Sequence, residues 1–129
     1  MKVEETLIRS LPKRALTNKD IEKFVQRNRR KIPYFRGVFS RNTLPNTIHR
    51  NECGIINLDV NSGPGTHWVA YKKRDKSILY FDSFGDLQPP TEIITYFNSN
   101  GICNIFYNHD RYQTFNSTNC RHLCLMFSL

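Results

Sequence analysis

Two apolar, aromatic runs, Trp68 to Tyr71 and Ile78 to Phe81, are separated only by the polar stretch KKRDKS. Runs of this composition flanking a short polar turn pair as an antiparallel hairpin, and little else is open to them. Phe81 then feeds directly into Asp82-Ser83-Phe84-Gly85, which places Asp82 at a strand end.

The remaining elements arrange themselves around that ribbon. Gly54 to Leu58 (GIINL) is an apolar run suited to a buried strand, and the Gly63-Pro64-Gly65 turn separates it from HWVAYKK. Upstream, Thr17 and Asp20 form a capping-box pattern, and Ile21, Phe24, Val25 and Asn28 fall on one face of a helix running from about Asn18 to Arg29 and ended by Pro33. Tyr34, Phe35, Val38 and Phe39, around Gly37, supply an aromatic segment to pack under the sheet, and residues 40–51, with Pro45, read as a surface loop. After Pro89-Pro90, Thr91 is placed to cap a helix carrying Ile93, Ile94, Tyr96 and Phe97, closed by Asn98 to Gly101. A strand over Ile102 to Tyr107, a loop over Asn108 to Asn119 and a buried helix with Leu123, Cys124 and Phe127 complete the order α, β, β, β, α, β, α. The expected class is α+β, a small central sheet flanked by helices.

A chain of 129 residues without internal repeats builds one domain, taken here as 1–129 with 1–16 expected to be flexible. Its apolar fraction of 39% with nine Phe, six Tyr and one Trp can fill an interior of that size, which excludes a disordered class. The opening MKVEETLIRSLPKR has no apolar signal core, and no run approaches the roughly 18 apolar residues of a membrane span. The expectation is a soluble, unsecreted protein with no membrane partner. Four cysteines, at 53, 103, 120 and 124, lack the density of a disulfide scaffold, so at least one is available for chemistry.

A net charge of +8 and a pI near 9.6 make polyanions plausible partners. The cations concentrate in Lys13 to Lys31, including Arg27, Arg29 and Arg30, and again at Lys72, Lys73, Arg74 and Lys76. For any one cluster a solvated surface is the plainer account.

Cys120 has the features of a nucleophile. A thiol attacks a carbonyl as its thiolate, which a neighbouring base and a helix N-terminus both favour. Asn116, Ser117, Thr118 and Asn119 lead into the apolar run that begins at Cys120, so its sulfur is expected near free backbone amides, with Cys124 one turn deeper and buried. His67 is the best base of the four histidines: it follows a Gly-rich turn, opens a strand and precedes Trp68, which can wall off solvent. Hairpin pairing would bring Asp82 alongside it as the orienting acid. Gln113, seven residues before Cys120, is an uncharged donor suited to an oxyanion hole.

The ordered set THW, YFDSFG and Gln-x6-Cys, preceded by IPYFRGVFSRNTLPN and ECGIINLD, resembles the adenovirus endopeptidase (adenain) family of cysteine proteases over roughly residues 30 to 125. The ubiquitin-like-specific proteases share the same order. The resemblance implies a papain-like fold of the adenain type, with His67 as general base and acid, Asp82 as its partner where adenain itself carries Glu, Gln113 as oxyanion donor and Cys120 as nucleophile. It implies cleavage of viral or viral-element precursor proteins, no required cofactor, DNA and an activating peptide as partners, and a monomer residing in the virion or in the host nucleus or cytoplasm. It also implies that Cys103 could take an intermolecular disulfide from that peptide, beside the plainer reading of a half-buried free thiol. The family usually has Gly directly after the nucleophile, where this chain has Arg121.

Two other readings stand beside this one: a deconjugating peptidase for a ubiquitin-like modifier, and a catalytically inactive, basic DNA-binding remnant of the fold. A zinc site built on Cys120, His122 and Cys124 lacks a second close Cys or His pair, so no metal ligand is assigned. His49 and His109 are expected on the surface, and Cys53 in the core.

Overall fold

The computed structural model describes residues 16–58, 67–83, 85, 87–110, 124, 127 and 128. Along these, α1 (Asn18–Arg27) leads into β1 (Phe35–Ser40) and β2 (Asn51–Asn57). The hairpin β3 (Trp68–Arg74) and β4 (Ser77–Asp82) follows, then α2 (Thr91–Phe97) and β5 (Asn104–Tyr107). Cys124, Phe127 and Ser128 are helical, and the Ser128 hydroxyl donates to the Cys124 carbonyl one turn back at 2.8 Å.

The strands form one mixed sheet in the order β1-β2-β3-β4-β5. Its centre, β2-β3-β4, is antiparallel, while β1 runs parallel to β2 and β5 parallel to β4. Parallel neighbours require crossovers. α2 makes the one between β4 and β5. Residues 41–50 make the other, where buried Ile48 joins the α2-side core and its amide donates to the Ser99 hydroxyl at 2.8 Å.

Each sheet face carries its own core. On one lie Ile21, Phe24 and Val25 of α1 with Ile32, Cys53, Ile55, Trp68, Ala70, Phe81 and Cys124. On the other, Ile93, Tyr96 and Phe97 of α2 pack on Ile56, Val69, Tyr71, Ile78 and Tyr80. Strand periodicity produces the division: in β3, Trp68 and Ala70 face α1, while Val69 and Tyr71 face α2. Phe127 stacks on Phe81 with ring centroids 5.1 Å apart, and the Lys72 ammonium lies 5.0 Å from the Phe127 centroid.

The α+β class, the central hairpin and the capping box are as expected. The Thr17 hydroxyl accepts the Asp20 amide at 3.2 Å, and the Asp20 carboxylate accepts the Thr17 amide at 2.8 Å. Several details differ. The 34–39 segment is a strand of the sheet, because its backbone pairs with β2 from Phe35↔Cys53 to Ser40↔Asn57. KKRDKS is mostly strand, with the turn confined to Asp75 and Lys76. Asp75 takes φ +54°, a conformation Asp tolerates better than most residues. α1 closes at Asn28, well before Pro33, where the Asn28 amide group donates to the Phe24 carbonyl at 2.8 Å. Thr91 is the first helical residue, and Pro90 holds the cap position without a side-chain bond. The expected flexible segment 1–16 lies, apart from Leu16, outside the described residues. Among those described, no helix is long and apolar enough to cross a membrane.

Candidate active site

His67 and Asp82 meet at one end of the central hairpin. His67 stands immediately before β3, where its carbonyl accepts the Leu58 amide at 2.9 Å. Asp82 closes β4 as the register partner of Val69. Antiparallel pairing therefore sets the two side chains at the same end of adjacent strands, and His67 Nε2 lies 2.8 Å from Asp82 Oδ1. Nε2–H donates and the carboxylate accepts, which fixes the tautomer and leaves Nδ1 as the basic nitrogen.

The carboxylate is the more enclosed partner: side-chain exposure is 2% for Asp82 and 15% for His67. Its backbone is held as firmly as its side chain. Asn108, just past β5, accepts the Asp82 amide through Oδ1 at 2.8 Å and donates through Nδ2 to the Asp82 carbonyl at 2.7 Å. Gly85, at φ +77°, turns its amide back to the same carbonyl at 2.9 Å. The sequence reading missed Asn108. A single Asn after a strand carries no signal until β5 is known to lie beside β4.

Trp68 and Phe81, the neighbours of His67 and Asp82, both enter the α1-side core together with Cys124. Cys124, four residues after Cys120 in the sequence, is fully buried, as expected. Cys120 and Gln113, like Arg121 and His122, lie outside the described residues. No protein-family model matches this chain, and no curated protein does.

The other cysteines fall into place as thiols. Burial pushes the Cys53 thiol up to about 11, which disfavours its thiolate at neutral pH. Cys103 is half-buried, with Sγ 3.5 Å from the Gly101 carbonyl and its amide donating to Asn98 Oδ1 at 2.9 Å. It lies before β5, which starts at Asn104, short of the expected Ile102. His49 and His109 are exposed. Among the described residues no three His, Cys, Asp or Glu side chains group as metal ligands.

The sequence reading also missed a buried carboxylate at the far end of β2. Glu52 is fully buried and accepts the Tyr71 and Tyr96 hydroxyls at 2.5 Å each, Arg36 Nη1 at 2.8 Å and the His49 amide at 2.9 Å. Burial alone would raise its pKa, but these four donors outweigh that effect and hold it below the usual carboxylate range. Its strand partner Lys73, read as part of a polar turn, is buried too and donates to the His49 and Arg50 carbonyls at 2.9 and 3.0 Å. A lone acid at the head of an apolar strand was the available signal. The network is a structural tie between β1, β2, β3 and α2, with every carboxylate lone pair engaged.

Proposed function

We propose that this chain is a cysteine endopeptidase of the adenain type, cleaving viral or viral-element precursor proteins. The observation that carries the reading is the bond between His67 Nε2 and the buried Asp82 carboxylate at the end of the central hairpin. An imidazole held in this way presents Nδ1 as a general base, and the carboxylate stabilises the imidazolium that forms. Support for the nucleophile comes from Cys124, four residues after Cys120, which packs in one core with Trp68 and Phe81.

In the proposed reaction the Cys120 thiol gives its proton to His67 and the thiolate adds to the scissile carbonyl. Gln113 and the Cys120 amide hold the oxyanion. Collapse breaks the C–N bond, His67 protonates the departing amine, and a thioester remains. Water then attacks the thioester, His67 takes its proton, and the acyl group leaves as a carboxylic acid with Cys120 restored. Side chains, the Cys120 amide and water supply every step, so no metal or organic cofactor is invoked. DNA, attracted by the +8 charge, and an activating peptide at Cys103 are the proposed partners of a monomeric enzyme.

Asp at position 82 is the choice of the deconjugating branch and motivates the second reading, a peptidase acting on a ubiquitin-like tail. Arg121 after Cys120 motivates the third, a basic remnant that keeps the fold and binds DNA.

The test is mass-spectrometric labelling with a thiol-directed peptide electrophile, comparing the intact protein with His67→Ala and Cys120→Ser, with and without DNA. Selective labelling of Cys120 that requires His67 is expected. Uniform slow labelling of the accessible thiols would leave the remnant reading, and cleavage of a Gly-Gly-tailed modifier in preference to peptides would favour the deconjugating one.

A further inference from the structure

At the turn end of the hairpin, opposite His67 and Asp82, an aromatic ring is exposed among cations. Tyr34 is 59% exposed and adopts φ +64°, a conformation that bulky side chains rarely take. Its carbonyl accepts the Cys53 amide at 3.0 Å, which pins that backbone to the sheet. The Arg74 guanidinium lies over one face of the ring, 5.1 Å from its centroid.

More cations stand in the chain just before Tyr34. After α1 the backbone turns tightly, with the Lys31 and Ile32 amides both donating to the Asn28 carbonyl at 2.9 and 3.0 Å. Residues Gln26 to Lys31 line an open concavity of about 370 Å³, and four of these six residues are Arg27, Arg29, Arg30 and Lys31. Lys31 is three residues from Tyr34, so their Cα atoms lie within about 11 Å of each other. Arg29, Arg30, Lys31 and Arg74 are exposed, and among the described residues none takes a carboxylate partner.

Ordinary structural roles account for only part of this. The dipole at the end of α1 explains Arg27. It explains neither the cations that follow nor a tyrosine held outward at φ +64°, a backbone strain of the kind that clusters at functional sites. Cations alone suffice for a duplex, whose base faces are hidden. A solvent-facing ring adds affinity only where base faces are open.

We propose that Tyr34, with Arg74 over its ring and Arg29, Arg30 and Lys31 in the chain leading to it, binds single-stranded nucleic acid, a base stacking on the ring while the cations hold phosphates. The surface is separated from the His67–Asp82 pair by the length of β3, roughly 20 Å at about 3.3 Å per residue. It stands whether or not the chain cleaves peptides, and it differs from a duplex-tracking basic surface in requiring the ring.

Fluorescence anisotropy of the full chain with labelled dT and rU oligonucleotides, and with a duplex of equal length, tests it. One or both single strands are expected to bind more tightly than the duplex, the better of the two identifying DNA or RNA as the source, with affinity falling steeply as salt rises. Tyr34→Phe should retain binding. Tyr34→Gly removes the ring while suiting the positive φ, so it keeps the fold and should weaken single-strand binding about tenfold or more. Replacing Arg29 and Arg30 together by Ala should lower the slope of log affinity against log salt by about two. Unchanged binding by Tyr34→Gly, or a duplex bound as tightly as both single strands, overturns the proposal.

Discussion

Tyr71 lies across Gly54, its register partner on β2, so closely that a Cβ on Gly54 would stand 2.7 Å from the phenolic oxygen. The missing side chain is what lets the Tyr71 hydroxyl reach Glu52, two residues along on the same face of the strand.

Gly54→Ala is therefore expected to displace Tyr71 and open the Glu52 network, at a cost of about 2–4 kcal/mol. Urea unfolding measures it, and a loss under about 0.5 kcal/mol would mean that the ring moves aside freely.

Glu52 makes stability depend on acid. Its folded pKa lies below its ordinary value of 4.5, so its contribution is present above that value and is lost as pH falls through the folded pKa. Glu52→Gln, which cannot accept from all four donors, should cost about 2–4 kcal/mol at neutral pH and flatten the acid limb of the stability profile. An unchanged acid limb in the variant would assign that dependence elsewhere.

Tyr80 offers the opposite sign. Its hydroxyl is buried with no hydrogen-bond partner among the described residues, and burial, followed by the nearby Asp82 charge, pushes its ionisation well above the ordinary tyrosine range. Tyr80→Phe should be neutral or stabilising, by up to about 1 kcal/mol in thermal or urea unfolding. A loss of similar size would reveal a bond that the hydroxyl makes.

Much of this was legible in the sequence. The hairpin was readable because its two strands are joined by a short turn, and hairpin pairing alone sets His67 against Asp82. The capping box was readable because both partners lie within three residues. β1 was not, because its pairing with β2 is parallel and is established across residues 41–50. Glu52 escaped for a related reason: its four donors come from β1, β3, α2 and the 41–50 crossover, and no local pattern announces such a meeting.

Asp82→Asn probes the proposed chemistry. The amide can keep the shape of the site, and Asn108 still holds the backbone, but the charge opposing an imidazolium is gone. Labelling of Cys120 at neutral pH should slow on the order of a hundredfold, with little change in unfolding midpoint. Equal rates in the two proteins would remove Asp82 from the mechanism.

The Cys53 thiol, held up to about 11, should resist iodoacetamide at pH 8 in the native protein and react after denaturation, while half-buried Cys103 reacts in both states. Peptide mapping distinguishes the two sites. Rapid native labelling at Cys53 would mean that this part of the core opens readily.

The two-residue turn at Asp75 and Lys76 also has a consequence for synthesis. It gives β3 and β4 the shortest connection of any strand pair in the sheet, whereas both outer strands pair in parallel across longer crossovers. Short-range pairings are the quickest to form. On the ribosome, residues 67–82 are translated well before Cys120, so the arrangement that orients His67 can be drafted on a nascent chain that still lacks the proposed nucleophile.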